Sequence, residues 1–246
     1  MWPRGSAERK RKARSVVKAA TQKRDAGRAS HHASRLTPHA SNLLVLRRLG
    51  LVDYVQTWQA MKAFTMSRTE TTSDELWVLQ HPHVYTYGVA GRSEHLPRSN
   101  NGIPVVKVDR GGQITYHGPG QVVVYTLLDL RRRNLTVREL VRKLEQAVLD
   151  LLANHGVRAQ RREGAPGVYV GDEKIAALGL RVSRGCSYHG LSLNVDGDLE
   201  PFRSIDPCGY PGLAVTRTAD LGIDASVELL GERLVEKIAE QLSTQA

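Results

Sequence analysis

Cys208 is the residue whose surroundings most favour covalent chemistry. It stands in the run DPCGYPG at residues 206–212, where two prolines and two glycines predict a loop. A cysteine in a loop can reach solvent, and accessible thiols are the reactive ones. A second interpretation stays open, because a cysteine is also a common buried apolar residue.

The other cysteine, Cys186, adjoins a strand-like run, so we expect a small core or sheet residue there. Two cysteines are too few for a secreted disulfide framework and are typical of a reducing compartment. No apolar run approaches the roughly 20 residues that a membrane span needs, and no apolar stretch follows the basic N-terminus as in a secretory signal. These features predict a cytoplasmic protein that does not associate with membranes.

Lys174 is the candidate for assisting a thiol nucleophile. A cation beside a thiol favours the thiolate, the form that attacks carbonyl carbon. Lys174 stands at the edge of a run of small and apolar residues, 175–180, where a lysine is partly buried. A lysine at a surface turn fits the same sequence, and the residues alone favour that surface position.

The densest cluster of unusual residues is RGGQITYHGPGQ at 110–121, where five of twelve residues are Gly or Pro. Glycines let the backbone approach a ligand and expose N–H donors. Arg110 is suited to an anion, and His117 to binding or proton transfer. The segment lacks the spacing of a nucleotide phosphate loop. With two cysteines and no HExxH, the sequence predicts no metal site.

The elements that must position these residues alternate irregularly between strands and helices. Asp53 is a candidate N-cap, followed by a stripe of Val55, Trp58, Met61 and Phe64. The strand-like runs are residues 43–49, 75–80, 84–87, 105–109, 122–128, 157–161, 167–170, 174–182 and 187–195.

Thr136 with Glu139 forms a capping-box pattern that begins the clearest helix. A C-terminal helix is expected from Ser226 to Gln241. The order lacks the regular βαβα alternation of a doubly wound sheet, so we predict an α+β fold with a mixed or antiparallel sheet. The helix that begins at Thr136 is expected to bury one face, formed by Val137, Leu140, Val141, Leu144, Val148, Leu151 and Leu152.

The net charge of +10 is concentrated at the N-terminus. Residues 1–40 hold eleven Lys and Arg against two acids, so about one net positive charge remains for the other residues. A segment so basic and poor in apolar residues is expected to be disordered, a solvated extension rather than a transit peptide. We therefore divide the chain into this extension, 1–40, and one folded domain, 41–246. A nucleic-acid partner would depend on the extension alone.

Three long blocks in a fixed order resemble the lipoyl(octanoyl) transferases, the octanoyl-[acyl-carrier-protein]–protein octanoyltransferases. The blocks are RGGQITYHGPGQVVVY at 110–125, KIAALGLRVSRGCSYHGLSLNV at 174–195 and CGYPGLAVT at 208–216. HPHVYTYG at 81–88 also fits, and the resemblance covers roughly residues 43–245. It implies the catalytic domain fold shared by biotin and lipoate protein ligases.

The resemblance also implies a reaction and a site. Octanoyl arrives on acyl carrier protein, is held as a thioester on Cys208, and passes to a lysine of a lipoyl domain. By the same resemblance Lys174 lowers the pKa of Cys208 and acts as acid and base. No cofactor is implied. The residues that match the family's substrate-binding segments are Arg110, Gly111, Gly112, Gln113, Ile114, Thr115, Tyr116, His117, Ala177, Leu178, Gly179, Gly190, Leu191 and Ser192.

The expected partners follow from this reaction. They are octanoyl-acyl carrier protein as donor and the lipoyl domains of 2-oxoacid dehydrogenase and glycine cleavage proteins as acceptors, with the enzyme a monomer. His117 and His189 are expected near the reacting atoms. Two alternatives remain: an ATP-dependent lipoate or biotin ligase on the same fold, and a nucleic-acid binder that uses the basic extension. The near-neutral charge of residues 41–246 argues against the second.

Overall fold

The computed structural model describes residues 14–16, 43–92, 96–99, 101–206 and 212–244. Cys208 and most of the basic extension lie outside the described residues. Within the extension, Arg14–Val16 forms a short strand, β1. For the rest of that segment, disorder stays a prediction.

Within these ranges, nine further strands and three α-helices follow β1. The helices are α1 (Tyr54–Ser67), α2 (Val137–Ala153) and α3 (Val227–Ser243), and short 3₁₀ helices cover Glu200–Ser204 and Thr218–Leu221. The strands are β2 (Leu44–Leu51), β3 (Asp74–Gln80), β4 (Val84–Tyr87), β5 (Val105–Lys107), β6 (Ile114–His117), β7 (Gln121–Leu127), β8 (Val168–Val170), β9 (Glu173–Ser183) and β10 (Cys186–Asn194).

The strands form a large and a small mixed sheet. The large sheet has the order β1-β2-β3-β7-β10-β9-β8, and all its pairs are antiparallel except β2 with β3. The small sheet has the order β5-β4-β6, with β4 parallel to β5 and antiparallel to β6. This confirms the predicted α+β fold with mixed sheets.

β7 is buried on both faces, as its continuous apolar sequence predicts. Val122 and Val124 belong to the main core with α2 and α3, whereas Val123, Tyr125 and Leu127 pack with side chains of α1. Successive side chains of a strand point to opposite faces. The sheet therefore has a helix face covered by α2 and α3, and an opposite face that α1 partly covers.

The predicted helices are present with small corrections. Asp53 caps α1 by accepting from the amide of Gln56, and Thr136 with Glu139 forms the predicted capping box of α2. Of the predicted stripe of α1, Met61 is buried and Trp58 and Phe64 pack against the same core cluster, whereas Val55 is not part of it. The buried residues are Tyr54, Thr57, Met61 and Thr65, because a helix turns every 3.6 residues and a strict spacing of three drifts around it.

Three other expectations differ from the structure. Residues 157–161 are not a strand but make one isolated bridge, between Gln160 and Tyr169. Val137 is 44% exposed, because it occupies the first turn of α2. The glycine-rich segment contains a strand of its own, β6, which pairs with β4. No helix in the described ranges is both long and apolar enough to cross a membrane.

Candidate active site

A narrow pocket lies between the opposite face of the large sheet and the small sheet. Strands β7, β9 and β10 form its floor, and β6 with the loop that precedes it forms its cover. We call it the central pocket. Its lining residues are Tyr54, Arg110, Gly112, Gln113, Ile114, Thr115, His117, Val123, Tyr125, Ala177, Leu178, Gly179, His189, Gly190, Leu191 and Ser192.

Twelve of the fourteen residues expected to bind substrate line this pocket. The two others lie beside it. Gly111 lines an adjacent groove between the glycine loop and α2. Tyr116 points away, packs against Tyr85 and Phe202, and its hydroxyl lies 2.5 Å from Nδ1 of His83.

Two glycines make the close approach of cover and floor possible. Gly190 of β10 is paired with Gly179 of β9. A Cβ at Gly190 would clash with the carbonyl oxygen of Val124, and one at Gly179 would lie 2.9 Å from the carbonyl oxygen of Gly111. Side chains at these positions would separate the glycine loop from the sheet and displace a strand of its floor.

Arg110 joins the cover to the small sheet. Its side chain is buried, and its guanidinium donates to the carbonyl and hydroxyl oxygens of Thr86 at 2.6 and 2.9 Å and to the carbonyl of Gly111 at 2.9 Å. Hydrogen bonds from a charged donor are stronger than neutral ones. Arg110 thus holds the glycine loop in place, and it lines the pocket as well.

His117 ends a buried chain of amide hydrogen bonds. Its Nδ1 lies 2.6 Å from Oε1 of Gln121, whose Nε2 donates to Asn194, whose Nδ2 in turn donates to the carbonyl of Thr216. Because Gln121 offers an oxygen, Nδ1 of His117 carries the proton and Nε2 has the lone pair. Burial and the nearby His81 lower the pKa of His117 to about 3, so the ring is neutral.

His81 packs edge-on against the ring of His117 and is fully buried. Its Nδ1 lies 2.7 Å from the carbonyl of Val52 and its Nε2 2.6 Å from the hydroxyl of Tyr125. The carbonyl can only accept, so Nδ1 donates and Nε2 accepts from Tyr125. Burial lowers the pKa of His81 to about 4 and raises that of Tyr125 well above its ordinary value.

Asp109 orients a third histidine, His189. Its carboxylate accepts from Nε1 of Trp58 at 2.8 Å, the hydroxyl of Tyr188 at 2.5 Å and Nε2 of His189 at 3.1 Å. Burial alone would raise the pKa of Asp109, but these hydrogen bonds outweigh it and hold the pKa well below its ordinary value. Burial lowers the pKa of His189, so a neutral imidazole faces an ionised carboxylate.

Lys174 is only 3% exposed, so it is not the surface lysine that its sequence also allowed. Its Nζ donates to the carbonyl of Pro166 at 3.0 Å and lies 5.2 Å from the centre of the Tyr169 ring. Lys174 also lines a small cavity with Thr115, Ala177 and Ser192, three residues that line the central pocket. Lys174 therefore stands at one end of the pocket.

The chain that follows Cys208 is paired with this lysine. The amide of Lys174 donates to the carbonyl of Ala214 at 2.9 Å, and the amide of Thr216 donates to the carbonyl of Lys174 at 3.1 Å. Cys208 itself lies outside the described residues. Cys186 is a buried free thiol at the start of β10, and burial raises its pKa, so it is a structural residue as expected.

Sequence reasoning missed Tyr54, Val123 and Tyr125 as lining residues. Alternation along β7 offered a signal for two of them, since Gln121, Val123 and Tyr125 share one face of the strand. Tyr54 had no signal beyond its place after the helix cap. Among the described residues, no group of three His, Cys, Asp or Glu is placed to hold a metal ion.

Comparison with known proteins identifies the family. Residues 53–239 match the model of the lipoyl protein ligase A/B catalytic domain. The octanoyltransferase of Azoarcus sp. (strain BH72) is 62% identical over 195 residues, covering 79% of this chain and 86% of the relative. This chain belongs to the octanoyltransferase family. It is an acyltransferase whose transferred group is octanoyl, in protein lipoylation.

Further relatives agree with this assignment. The octanoyltransferase of Dechloromonas aromatica (strain RCB) is 60% identical over 198 residues, covering 80% of this chain and 96% of the relative. Solved structures of ligases share the octanoyltransferase fold at low identity. Lipoate-protein ligase A bound with ATP matches with a TM-score of 0.64 at 17% identity, covering 81% of this chain and 84% of that chain.

The fold extends to biotin ligases. The biotin protein ligase of Aquifex aeolicus in complex with biotin and ATP matches with a TM-score of 0.52 at 15% identity, covering 80% of this chain and 69% of that chain. At these identities the likeness concerns the fold alone. It confirms the predicted biotin and lipoate protein ligase-like catalytic domain.

Proposed function

We propose that this octanoyltransferase takes octanoyl from a thioester on acyl carrier protein, holds it on Cys208, and passes it to a lysine of a lipoyl domain. The observation that carries the proposal is the pairing of Lys174 with residues 214–216, six to eight positions after Cys208. A cation at the end of an enclosed pocket and a cysteine on the adjoining segment are the two parts that thioester exchange requires.

Chain geometry permits the two side chains to meet. Ala214 lies six positions after Cys208, and an extended chain of that length spans at most about 21 Å. Asp206, two residues before Cys208, accepts from Arg98 at 3.2 Å. The segment that holds Cys208 is thus tethered on both sides by described residues.

The first step exchanges one thioester for another. The thiolate of Cys208 attacks the carbonyl carbon, the new C–Sγ bond forms, and the bond to the donor's sulfur breaks. The donor's thiolate leaves and takes a proton, for which the ammonium of Lys174 is the source. The two thioesters are nearly equal in free energy, so the step needs no ATP.

The second step forms an amide. The neutral amine of the acceptor lysine attacks the same carbonyl carbon, the C–Sγ bond breaks, and the thiol of Cys208 is restored. Lys174, neutral after the first step, accepts the proton that the amine loses and returns it to the sulfur of Cys208. Backbone N–H groups of the glycine-rich cover are suited to stabilise the oxyanion in both steps.

The central pocket suits an acyl chain. Ile114, Val123, Leu178 and Leu191 supply apolar walls, and Ala177 leaves space between them. Apolar surface removed from water contributes roughly 25 cal/mol per Å² to binding. The acceptors that fit this reaction are the lipoyl domains of 2-oxoacid dehydrogenase and glycine cleavage proteins, and we propose that the enzyme acts as a cytoplasmic monomer.

The decisive experiment is incubation with octanoyl-acyl carrier protein, without ATP, followed by intact mass measurement. We expect the gain of one octanoyl group that hydroxylamine removes. Cys208→Ser should abolish this adduct and Cys186→Ser, the matched control, should keep it. An adduct that survives in Cys208→Ser, or that requires ATP, would contradict the proposal.

We also propose that residues 1–40 are an accessory extension of the catalytic domain, 41–246. The family match begins at residue 53, well after the basic segment. A protein lacking residues 1–40 should therefore retain acylation and lose any affinity for nucleic acid. Because β1 lies in the extension and pairs with β2, loss of acylation would count against the accessory role only in a shortened protein that still folds.

A further inference from the structure

We infer that His189, held by Asp109, is the polar stop of the acyl pocket and sets the upper length of the acyl chain that the enzyme accepts. The inference rests on the proposed function in one respect: the carbonyl end of the chain lies at Lys174. It assigns a specificity-determining residue and a limit to the substrate class.

The first observation is the backbone of His189. Its φ is +61°, in the left-handed region, in the middle of β10. Neighbouring side chains of a regular strand point to opposite faces. Yet the rings of Tyr188 and His189 stack, with centroids 5.1 Å apart and planes 26° apart. The unusual backbone thus turns His189 to the same face as Tyr188, where it lines the pocket.

The second observation is the state of the imidazole. Asp109 accepts only, so Nε2 of His189 donates to it and the neutral ring keeps its lone pair on Nδ1. That atom is buried and has no hydrogen-bond partner among the described residues. Because solvent does not reach that atom, a ligand cannot hydrogen-bond it, and the ring held by Asp109 acts on the chain as a fixed wall.

The third observation is the distance between Lys174, at one end of the pocket, and His189, at the other. His189 is paired with Leu180, six residues along β9 from Lys174. Six residues of a strand span about 20 Å. Thr115, Ala177 and Ser192 line both the Lys174 cavity and the central pocket, so the two cavities adjoin along the strand. With the carbonyl end at Lys174, the proposal places His189 at the far end of the chain rather than beside the reacting atoms.

The length of an octanoyl group fits these two adjoining cavities. An octanoyl group has seven C–C bonds of about 1.5 Å, so it spans less than about 11 Å. The side chains at both ends take up part of the 20 Å. A chain that starts at Lys174 and runs through the two adjoining cavities thus ends at or before His189. Each further methylene brings the terminal methyl group closer to the imidazole ring.

The test measures binding rather than transfer. Calorimetry with octanoate and dodecanoate gives the ratio of the two dissociation constants for the full-length protein and its variants. His189→Gly keeps the left-handed backbone without strain and removes the stop. We expect it to shift the ratio toward dodecanoate at least about fivefold, roughly the factor for burying one or two further methylene groups in the space that the ring occupied.

Two further variants make the result decisive. His189→Asn also tolerates the left-handed region and should shift the ratio in the same direction by less, which decides the question if His189→Gly does not fold. Asn134→Gly, at φ +50° on an exposed turn, is the matched control and should leave the ratio unchanged.

The outcomes separate the two proposals. An unchanged ratio in both His189 variants, or no binding of either acid, overturns the assignment of His189. A shifted ratio in a protein whose Cys208 is never acylated overturns the proposed function and leaves the polar stop in place. If the binding of both acids weakens equally, the result also counts against the stop, because mere loss of structure would have the same effect.

Discussion

The amide of Thr216 donates to the carbonyl of Lys174 at 3.1 Å. This bond joins β9 to the chain that leaves the Cys208 segment, although the two residues are 42 positions apart in sequence. Thr216 also accepts from Asn194 through its own carbonyl, at 2.9 Å. The lysine end of the pocket and the amide chain that orients His117 therefore share one residue.

Replacement of Lys174 tests its role in the acyl transfer. Lys174→Met preserves the buried aliphatic stem and removes the ammonium, so we expect a folded protein. Acylation of Cys208 should slow at least about 100-fold, the lower range for loss of an acid–base group. Stopped-flow or quenched mass measurement of the acyl-enzyme gives the rate.

Lys143→Met is the matched control for that variant. Its Nζ donates to the carbonyl of Gln241 at 2.7 Å and to that of Thr244, far from the pocket. Its loss should affect thermal stability slightly and the acylation rate not at all. Acylation at the wild-type rate in Lys174→Met would remove Lys174 from the mechanism.

The stability of the fold should depend on pH through its buried histidines. The pKa of His81 is lowered to about 4 and that of His117 to about 3 in the folded protein, from about 6.5 in the unfolded chain. Between these values the unfolded chain binds more protons, so folding is disfavoured as the pH falls. The stabilisation is complete above about pH 6.5 and is lost progressively toward pH 3.

Urea unfolding at pH 7.5 and at pH 4.5 measures this dependence. Each unit of pKa shift corresponds to about 1.4 kcal/mol, so the free energy of unfolding should fall by several kcal/mol. His81→Gln should reduce the fall, and His155→Gln, a half-exposed histidine beside Arg233, should not. If the free energy of unfolding is the same at the two pH values, the pKa values of His81 and His117 are not lowered in the folded protein.

Gly190→Ala tests the close packing of the pocket floor. A methyl group there would clash with the carbonyl of Val124. Overpacking of this kind costs roughly 1–3 kcal/mol, which lowers the melting temperature of a protein of this size by roughly 2–12 °C. Affinity for octanoate should fall as well, because the strand must shift away from Tyr125, which lines the pocket.

Gly156→Ala separates this clash from ordinary backbone strain. Gly156 has a φ of +74° and open space around it, so an alanine costs about 1 kcal/mol without touching the pocket. Its affinity for octanoate should match that of the wild type. If Gly190→Ala is no less stable than Gly156→Ala and binds octanoate equally well, the floor is less tightly packed than the structure shows.

Local patterns were enough to predict most of the elements. Continuous apolar residues in β7 predict a central strand, and Thr136 with Glu139 predicts the start of α2, because both signals depend on neighbours in sequence. β6 was missed because glycines surround it and its partner, β4, lies thirty residues earlier. Residues 157–161 contain one strong β-former, Val157, and reach β8 only through the single bridge from Gln160 to Tyr169, so no ladder forms.

The sequence alone determined which residues are candidates for chemistry. They are a cysteine in a Pro- and Gly-rich run, a lysine at the edge of a small-residue strand, and a glycine loop between strands. Those are properties of adjacent residues. Only the tertiary structure decided that Lys174 is buried against Pro166 and Tyr169, and that His189 lies about six strand residues away from it. Such placements depend on contacts between distant segments, and a single left-handed residue re-aims a side chain that strand alternation would send to the other face.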